Sequence, residues 1–297
     1  MNDDAETFLE KALSAAFAAE PGETPRRAAP GGRGASGRAD PPRAAPEEPA
    51  HPARIGRYRV EGVLGRGGMG VVLKAFDPAL ERTVAIKLLH ARYAGDAEMT
   101  QRFLDEARIA GGLQHPGVVP VHEVGRAEDG RPYLAMKLVD GAPFSARLTA
   151  RKDRGADRLD FLSVFERVAR IAAYAHDRGV MHLDLKPANI LVGAYGEVVL
   201  TDWGFAAAPA ASPAAARSAT PATTPATEET PSGRTRIVGT PAFMSPEQAK
   251  GDVAKIGPRS DVFGLGAILC EILTGAPPYD ADTRTETLLA AAAGGWT

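Results

Sequence analysis

The chain has 297 residues, 24% of them charged and 44% hydrophobic, with a formal net charge of −2. That balance is ordinary for soluble globular proteins and gives no reason to expect a nucleic-acid or membrane-surface partner. A single cysteine, Cys270, excludes an intrachain disulfide and fits a reducing compartment. The acidic start MNDDAETF lacks the character of a signal peptide, and the longest strongly apolar run, VFGLGAILC, is too short to span a bilayer, so a cytoplasmic protein is expected, or the cytoplasmic part of one tethered to a membrane by a segment beyond residue 297.

Residues 1–54 divide in two. ETFLEKALSAAFAAE places Phe8, Leu9, Ala12, Leu13, Ala16 and Phe17 on one face of a short helix over 6–20, marginal without a partner. The Pro-, Gly-, Ala- and charge-rich stretch that follows has almost nothing to bury and predicts a disordered linker. Order begins near Ile55. YRVEGVLGRG and GVVLKAFDPA read as two strands around a glycine-rich turn, and RTVAIKLLH as a third. EMTQRFLDEARIAGGL is helical, with Phe103, Ala107 and Ala110 at helical spacing. GVVPVHEVGR and PYLAMKLVDG give two more strands, so residues 55–140 form a small, mainly β unit with one helix.

Residues 141–297 differ. DFLSVFERVARIAAYAHDRG is an amphipathic helix stopped by Gly179, and short strands follow around HLDLKPANILVG and EVVLTDWG. DVFGLGAILCEILTG is apolar nearly all round, which marks a helix buried inside a domain. Between them, residues 206–235 are dominated by Ala, Pro, Ser and Thr and predict a disordered insert.

The chemistry-bearing residues fall between these elements. GRGGMG, Gly65 to Gly70, is followed by a strand rather than a helix; it is either an ordinary flexible hairpin or one that lies over phosphates, where glycine lets backbone N–H groups approach closely. Lys87, ending VAIK, has the reach of a nucleotide's α- and β-phosphates if a carboxylate holds it. Glu106 on the helix is the candidate, unless it faces solvent beside Arg102 or Arg108. In HLDLKPANI, Asp184 is suited to orient or deprotonate an attacking hydroxyl, Lys186 to neutralise a phosphoryl group, and Asn189 to offer oxygen to a hard cation. TDWG adds Asp202 as a second metal ligand. Together they are what phosphoryl transfer requires.

In this order and spacing the Gly-rich loop, VAIK, the helix glutamate, HPGVV, HLDLKPANI, DWG, GTPAFMSPE and DVFGLG resemble a eukaryotic-type serine/threonine protein kinase of bacterial style, from about Tyr58 to Tyr279. The resemblance implies an α+β, two-lobed kinase-like fold with ATP and Mg²⁺ as cofactors, Mn²⁺ being the alternative ion. It implies nucleotide contacts from Leu64, Gly65, Arg66, Gly67, Gly68, Met69, Gly70, Val71, Val72, Ala85, Lys87, Glu106, Met136 and Leu191. Val72, Ala85 and Leu191 would sandwich the adenine, Met136 would be the gatekeeper, and Lys137 to Val139 the hinge. Asp184, Lys186 and Asn189 would be catalytic, Asn189 and Asp202 would hold metal, and Asp261 would anchor the catalytic loop. Lys186 together with the GTP of Gly239 to Pro241 favours Ser/Thr protein substrates, with self-phosphorylation in the 206–240 loop; Thr220, Thr223, Thr224, Thr227, Thr230 and above all Thr235 are the candidate sites.

The sequence departs from the family in places. Leu183 stands where an arginine usually grips a phosphate on the activation loop, so loop phosphorylation is not expected to be an obligatory on-switch. Trp203 replaces the usual Phe of D-F-G. A typical large lobe continues beyond PPYDADTRTETLLAAAAGGWT, so either a fragment of a longer protein or a truncated domain is expected, truncation leaving Glu247 without an arginine partner. A nucleotide-binding scaffold without useful catalysis is the second reading, and a small-molecule kinase the third.

Overall fold

The computed structural model describes residues 51–153, 155, 157–204, 206 and 239–295. The helix expected over 6–20, the linker behind it, all of the 206–235 insert except Ala206, and the six threonines at 220–235 lie outside the described residues. Six strands form the first sheet: β1 (Arg54–Ile55), β2 (Tyr58–Arg66), β3 (Gly70–Asp77), β4 (Arg82–Leu89), β5 (Val121–Arg126) and β6 (Pro132–Lys137). Their order is β1-β2-β3-β4-β6-β5, antiparallel throughout. Helix α1 (Ala97–Gly112) crosses between β4 and β5, its start capped by the Asp96 carboxylate, which accepts from the Met99 N–H at 3.0 Å. The expected strand GVVPVHEVGR is ordered as β only from Val121, because Val118 instead makes a parallel bridge to Leu200 in the other lobe.

The second lobe contains β7 (Gly141–Pro143), α2 (Phe144–Thr149), α3 (Arg158–Asp177), β8 (Ile190–Gly193), β9 (Val198–Leu200), α4 (Pro246–Lys250), α5 (Pro258–Thr274) and α6 (Arg284–Ala293). Strands β7, β8 and β9 form a small antiparallel sheet. Helix α3 and its Gly179 stop (φ 71°), and α5 with its Gly275 stop (φ 83°), lie where the apolar spacing places them. Helices α4 and α6 are short and begin with capping boxes at Ser245/Gln248 and Thr283/Glu286.

Period-two alternation gives the first sheet two different faces. Val71, Leu73 and Ala75 of β3 with Val84, Ile86 and Leu88 of β4 form one cluster with Ile55 and Tyr58. The intervening residues turn the other way, where Leu89, Leu134, Met136, Phe103 and Ala107 form a second cluster beneath α1. The larger core joins α3 and α5 to β8 and β9 through Val168, Ile171, Ile190, Leu200, Trp203, Ile268 and Ile272. No described helix is long and apolar enough to cross a membrane.

Candidate active site

Lys87 is brought to the site by strand register. Val72 pairs with Lys87 and Lys74 with Ala85 across β3–β4, while Leu134 and Met136 lie opposite Lys87 and Ala85 on β6. Val72, Ala85 and Lys87 therefore share the face away from the Val71/Leu73 cluster. Val71 itself lies in that opposite cluster, because adjacent strand residues face opposite sides; only its backbone is on offer to the site. Leu64 is exposed on β2, and Leu191 is half-buried on β8.

From α1, Glu106 grips Lys87 with both oxygens, at 2.6 and 2.7 Å from Nζ, and Asp202 Oδ1 accepts a third bond at 3.1 Å. Glu106 thus faces the cleft, while Arg102 pairs with Glu98 and Arg108 with Asp105. Burial alone would push the Lys87 ammonium down, but the Glu106 and Asp202 carboxylates outweigh it and hold it above its ordinary value. Burial pushes Glu106 up, reinforced by the neighbouring Asp202 charge and opposed by Lys87. Asp202 goes the other way: burial would raise it, and Lys87 draws it below the usual carboxylate range.

The second cluster centres on Asp184, which is 5% exposed. Lys186 Nζ donates to Asp184 Oδ2 at 2.7 Å and to Thr240 Oγ1 at 2.6 Å; the Thr240 hydroxyl in turn donates to Asp184 Oδ1 at 3.0 Å. Asn189 Nδ2 donates to the Asp184 carbonyl at 2.9 Å and to Oδ2 at 3.1 Å. The amide nitrogen is spent on Asp184, which leaves the Asn189 oxygen for another group. The β8–β9 register, Ile190 opposite Leu200, brings Asn189 beside the start of the TDWG stretch, and Thr201 N–H donates to the Asn189 carbonyl at 2.9 Å. Asn189 Oδ1 and Asp202 Oδ2 are hard oxygen donors of the kind that Mg²⁺ takes together with phosphate oxygens. Among the described residues no group of three or more His, Cys, Asp or Glu side chains is placed to hold a metal ion.

Asp261, at the start of α5, holds the loop that carries Asp184. Its Oδ2 accepts from the His182 N–H (2.8 Å) and is bonded by the His176 ring (2.7 Å); its Oδ1 accepts from the Leu183 N–H (2.7 Å). His182 Nδ1 accepts from the Asp184 N–H, so Nε2 carries the ring proton and donates to the Thr201 carbonyl at 3.0 Å. Trp203 is 3% exposed, packs against the His182 ring at a tilt of 57° with centroids 4.7 Å apart, and belongs to the large core that Ala110 and Ile109 of α1 also touch. Glu247 accepts from the Ser260 hydroxyl at 2.6 Å. Three participants escaped the sequence reading: Thr240 as a bridge between Lys186 and Asp184, His176 as a partner of Asp261, and Gln248, whose amide donates to the Leu183 carbonyl at 2.8 Å. The GTP and GTPAFMSPE motifs flagged their neighbourhood without their contacts; His176 carried no signal beyond its place in the last turn of α3.

The match to known proteins covers the same residues. The protein kinase domain matches residues 58–294. The chain is 34% identical over 239 residues to "Serine/threonine-protein kinase PknD" of Protochlamydia amoebophila (77% of this chain, 24% of the relative), and 36% identical over 240 residues to PknD of Chlamydia pneumoniae (75% and 24%). It is 34% identical over 234 residues to "Serine/threonine-protein kinase PrkC" of Bacillus subtilis (79% and 33%). It therefore spans 24–33% of the length of these relatives. With Lys87, Glu106, Asp184, Asn189 and Asp202 gathered between two lobes of this architecture, the chain belongs to the protein kinase domain family.

Proposed function

We propose that the chain is the catalytic domain of an ATP-dependent serine/threonine protein kinase acting in cytoplasmic signalling. The observation that carries this is the convergence of Lys87, held by Glu106 and Asp202, with the bonded set Asp184, Lys186, Asn189 and Thr240. A catalytically dead scaffold would not need every one of these groups in bonding position. In this reading Val72, Ala85 and Leu191 enclose the adenine, Met136 lies behind it, and Leu64 to Gly70 form the roof over the phosphates.

Asp184 orients the substrate serine or threonine hydroxyl through one carboxylate oxygen while Lys186, Asn189 and Thr240 fix its rotamer. The hydroxyl oxygen forms a bond to the γ-phosphorus, the bond from that phosphorus to the β,γ-bridging oxygen breaks, and ADP leaves with the electron pair. Asp184 takes the hydroxyl proton. Lys186 faces the charge on the transferring group, and Lys87 steadies the α- and β-phosphates. Asn189 and Asp202 would hold Mg²⁺, which when bound neutralises phosphate charge and makes the γ-phosphorus more electrophilic.

The purified chain, given Mg²⁺, labelled ATP and a protein acceptor, is expected to label serine and threonine. Asp184→Asn and Lys87→Ala should each lower transfer by roughly 10²-fold or more while circular dichroism shows the fold retained, Lys87→Ala melting lower because Glu106 loses its buried partner. Transfer retained in either variant would sink these roles, and ATP binding without transfer by the wild type would favour the scaffold. Mass spectrometry of the product reads out self-phosphorylation in the 206–240 loop.

A further inference from the structure

The tip of the glycine-rich hairpin is tied down by residues just beyond β4. The His90 imidazole donates through Nε2 to the Gly67 carbonyl at 2.8 Å, and the Arg92 guanidinium donates to the Gly68 carbonyl at 2.9 Å. The His90 N–H reaches the Met69 carbonyl at 3.1 Å, and the turn closes on itself through Gly67 N–H to the Gly70 carbonyl at 2.9 Å. Met69 and Tyr93 both lie against the cluster formed by Leu89, Leu134 and the α1 residues Phe103 and Ala107. These restraints fall on a stretch that is otherwise glycine and therefore has a large entropy to lose.

A trans peptide is planar, with its C=O and N–H pointing in opposite directions. Fixing the Gly67 and Gly68 carbonyls on His90 and Arg92 therefore aims the N–H groups of Gly68 and Met69 away from those side chains. It also keeps two carbonyl dipoles from turning towards a bound anion, where they would repel it. An untethered Gly-Gly pair flips its peptides freely and would have to be ordered at the moment of binding.

We propose that His90 and Arg92 are positioning residues for nucleotide phosphates: they latch the hairpin so that its N–H groups are preset for the phosphate chain, and they tie that setting to the helix that carries Glu106. The idea rests on the kinase reading above only in taking ATP as the ligand, and binding tests it without turnover.

The full chain with Mg²⁺ is titrated calorimetrically with ATP and, separately, with adenosine. His90→Ala and Arg92→Ala should each weaken ATP about fivefold, the worth of one hydrogen bond, and leave adenosine unchanged. His90→Gln, whose side-chain amide also presents an N–H donor, should recover most of the loss. Parallel weakening of ATP and adenosine would mean a merely structural role and overturn the latch, as would unchanged ATP affinity in both alanine variants. A wild type that bound ATP no better than adenosine would overturn it too. A chain that bound ATP with the expected pattern but transferred no phosphate would refute the kinase and leave the latch standing.

Discussion

Leu183 has a left-handed backbone (φ 63°), an arrangement that costs a residue with a Cβ about 1–2 kcal/mol. The cost is offset because both its peptide groups are held: the N–H by the Asp261 carboxylate and the carbonyl by Gln248. Its side chain is 5% exposed and packs with Met181 and Ile256. An aliphatic group in that position has no donor for a phosphorylated loop, which supports phosphorylation-independent catalysis as part of the proposed function. Phosphatase-treated protein is expected to keep its transfer rate; loss of activity on treatment, regained on re-phosphorylation, would refute this. The HLDLKPAN string made the polar side chains legible, since their types and spacing state their chemistry. The left-handed turn was not, because it is imposed by residues 65 and 78 positions away in sequence.

The outer face of the first sheet carries a charged network joining four strands. Arg57 bonds Asp77, Glu123 and the Tyr58 hydroxyl, and Tyr58 and Tyr133 both donate to Glu123, at 2.8 and 2.7 Å. Gly125 makes this fit: a Cβ there would collide with the Tyr133 ring. The Arg57 hydrogen bond holds Asp77 below its ordinary 3.8. Burial would raise Glu123, but the bonds from Tyr133, Tyr58 and Arg57 override it and hold it below 4.5. Burial and the Glu123 bond push Tyr133 up to about 12. Because both carboxylates are depressed on folding, their stabilisation is complete above the unfolded values and drains away as pH falls through the folded ones. The wild-type melting temperature should therefore fall steeply between about pH 5 and about pH 3. Glu123→Gln should melt lower at neutral pH and lose less over that window; equal slopes would contradict the assignment. The strands themselves follow from alternation in the sequence, except for the two-residue β1, too short to show a period. The network was invisible because its members come from four separated stretches.

The two lobes are joined by more than the Lys87–Asp202 contact. After α1 the chain dives into the larger lobe: Leu113 and Val118 belong to its core, and the Tyr174 hydroxyl donates to the Gln114 carbonyl at 2.7 Å. His115 packs against Tyr174 with the rings tilted by 48° and centroids 4.8 Å apart, and Leu200 N–H donates to the Gly117 carbonyl at 2.8 Å. Gly117 permits the approach, since a Cβ would drive into Ile171 of α3. This gives HPGVV a physical reason: it pivots α1, and so Glu106, on the larger lobe. Gly117→Ala should lower stability by about 1–3 kcal/mol and also slow transfer, because α1 shifts against Lys87. Thermal melts and steady-state rates on the same preparation check both; full activity in a destabilised variant would show that the pivot does not set the site.

The Asp261 grip on the catalytic loop makes that loop's rigidity a loan from α5. The amide protons of His182 and Leu183 are buried and bonded to a carboxylate rooted in the first turn of a core helix. In hydrogen–deuterium exchange these two amides should be as slow as those in the middle of α5, although they lie in a loop, because both exchange only when the helix itself opens. A temperature that loosens α5 would then silence the chemistry before the β lobe melts.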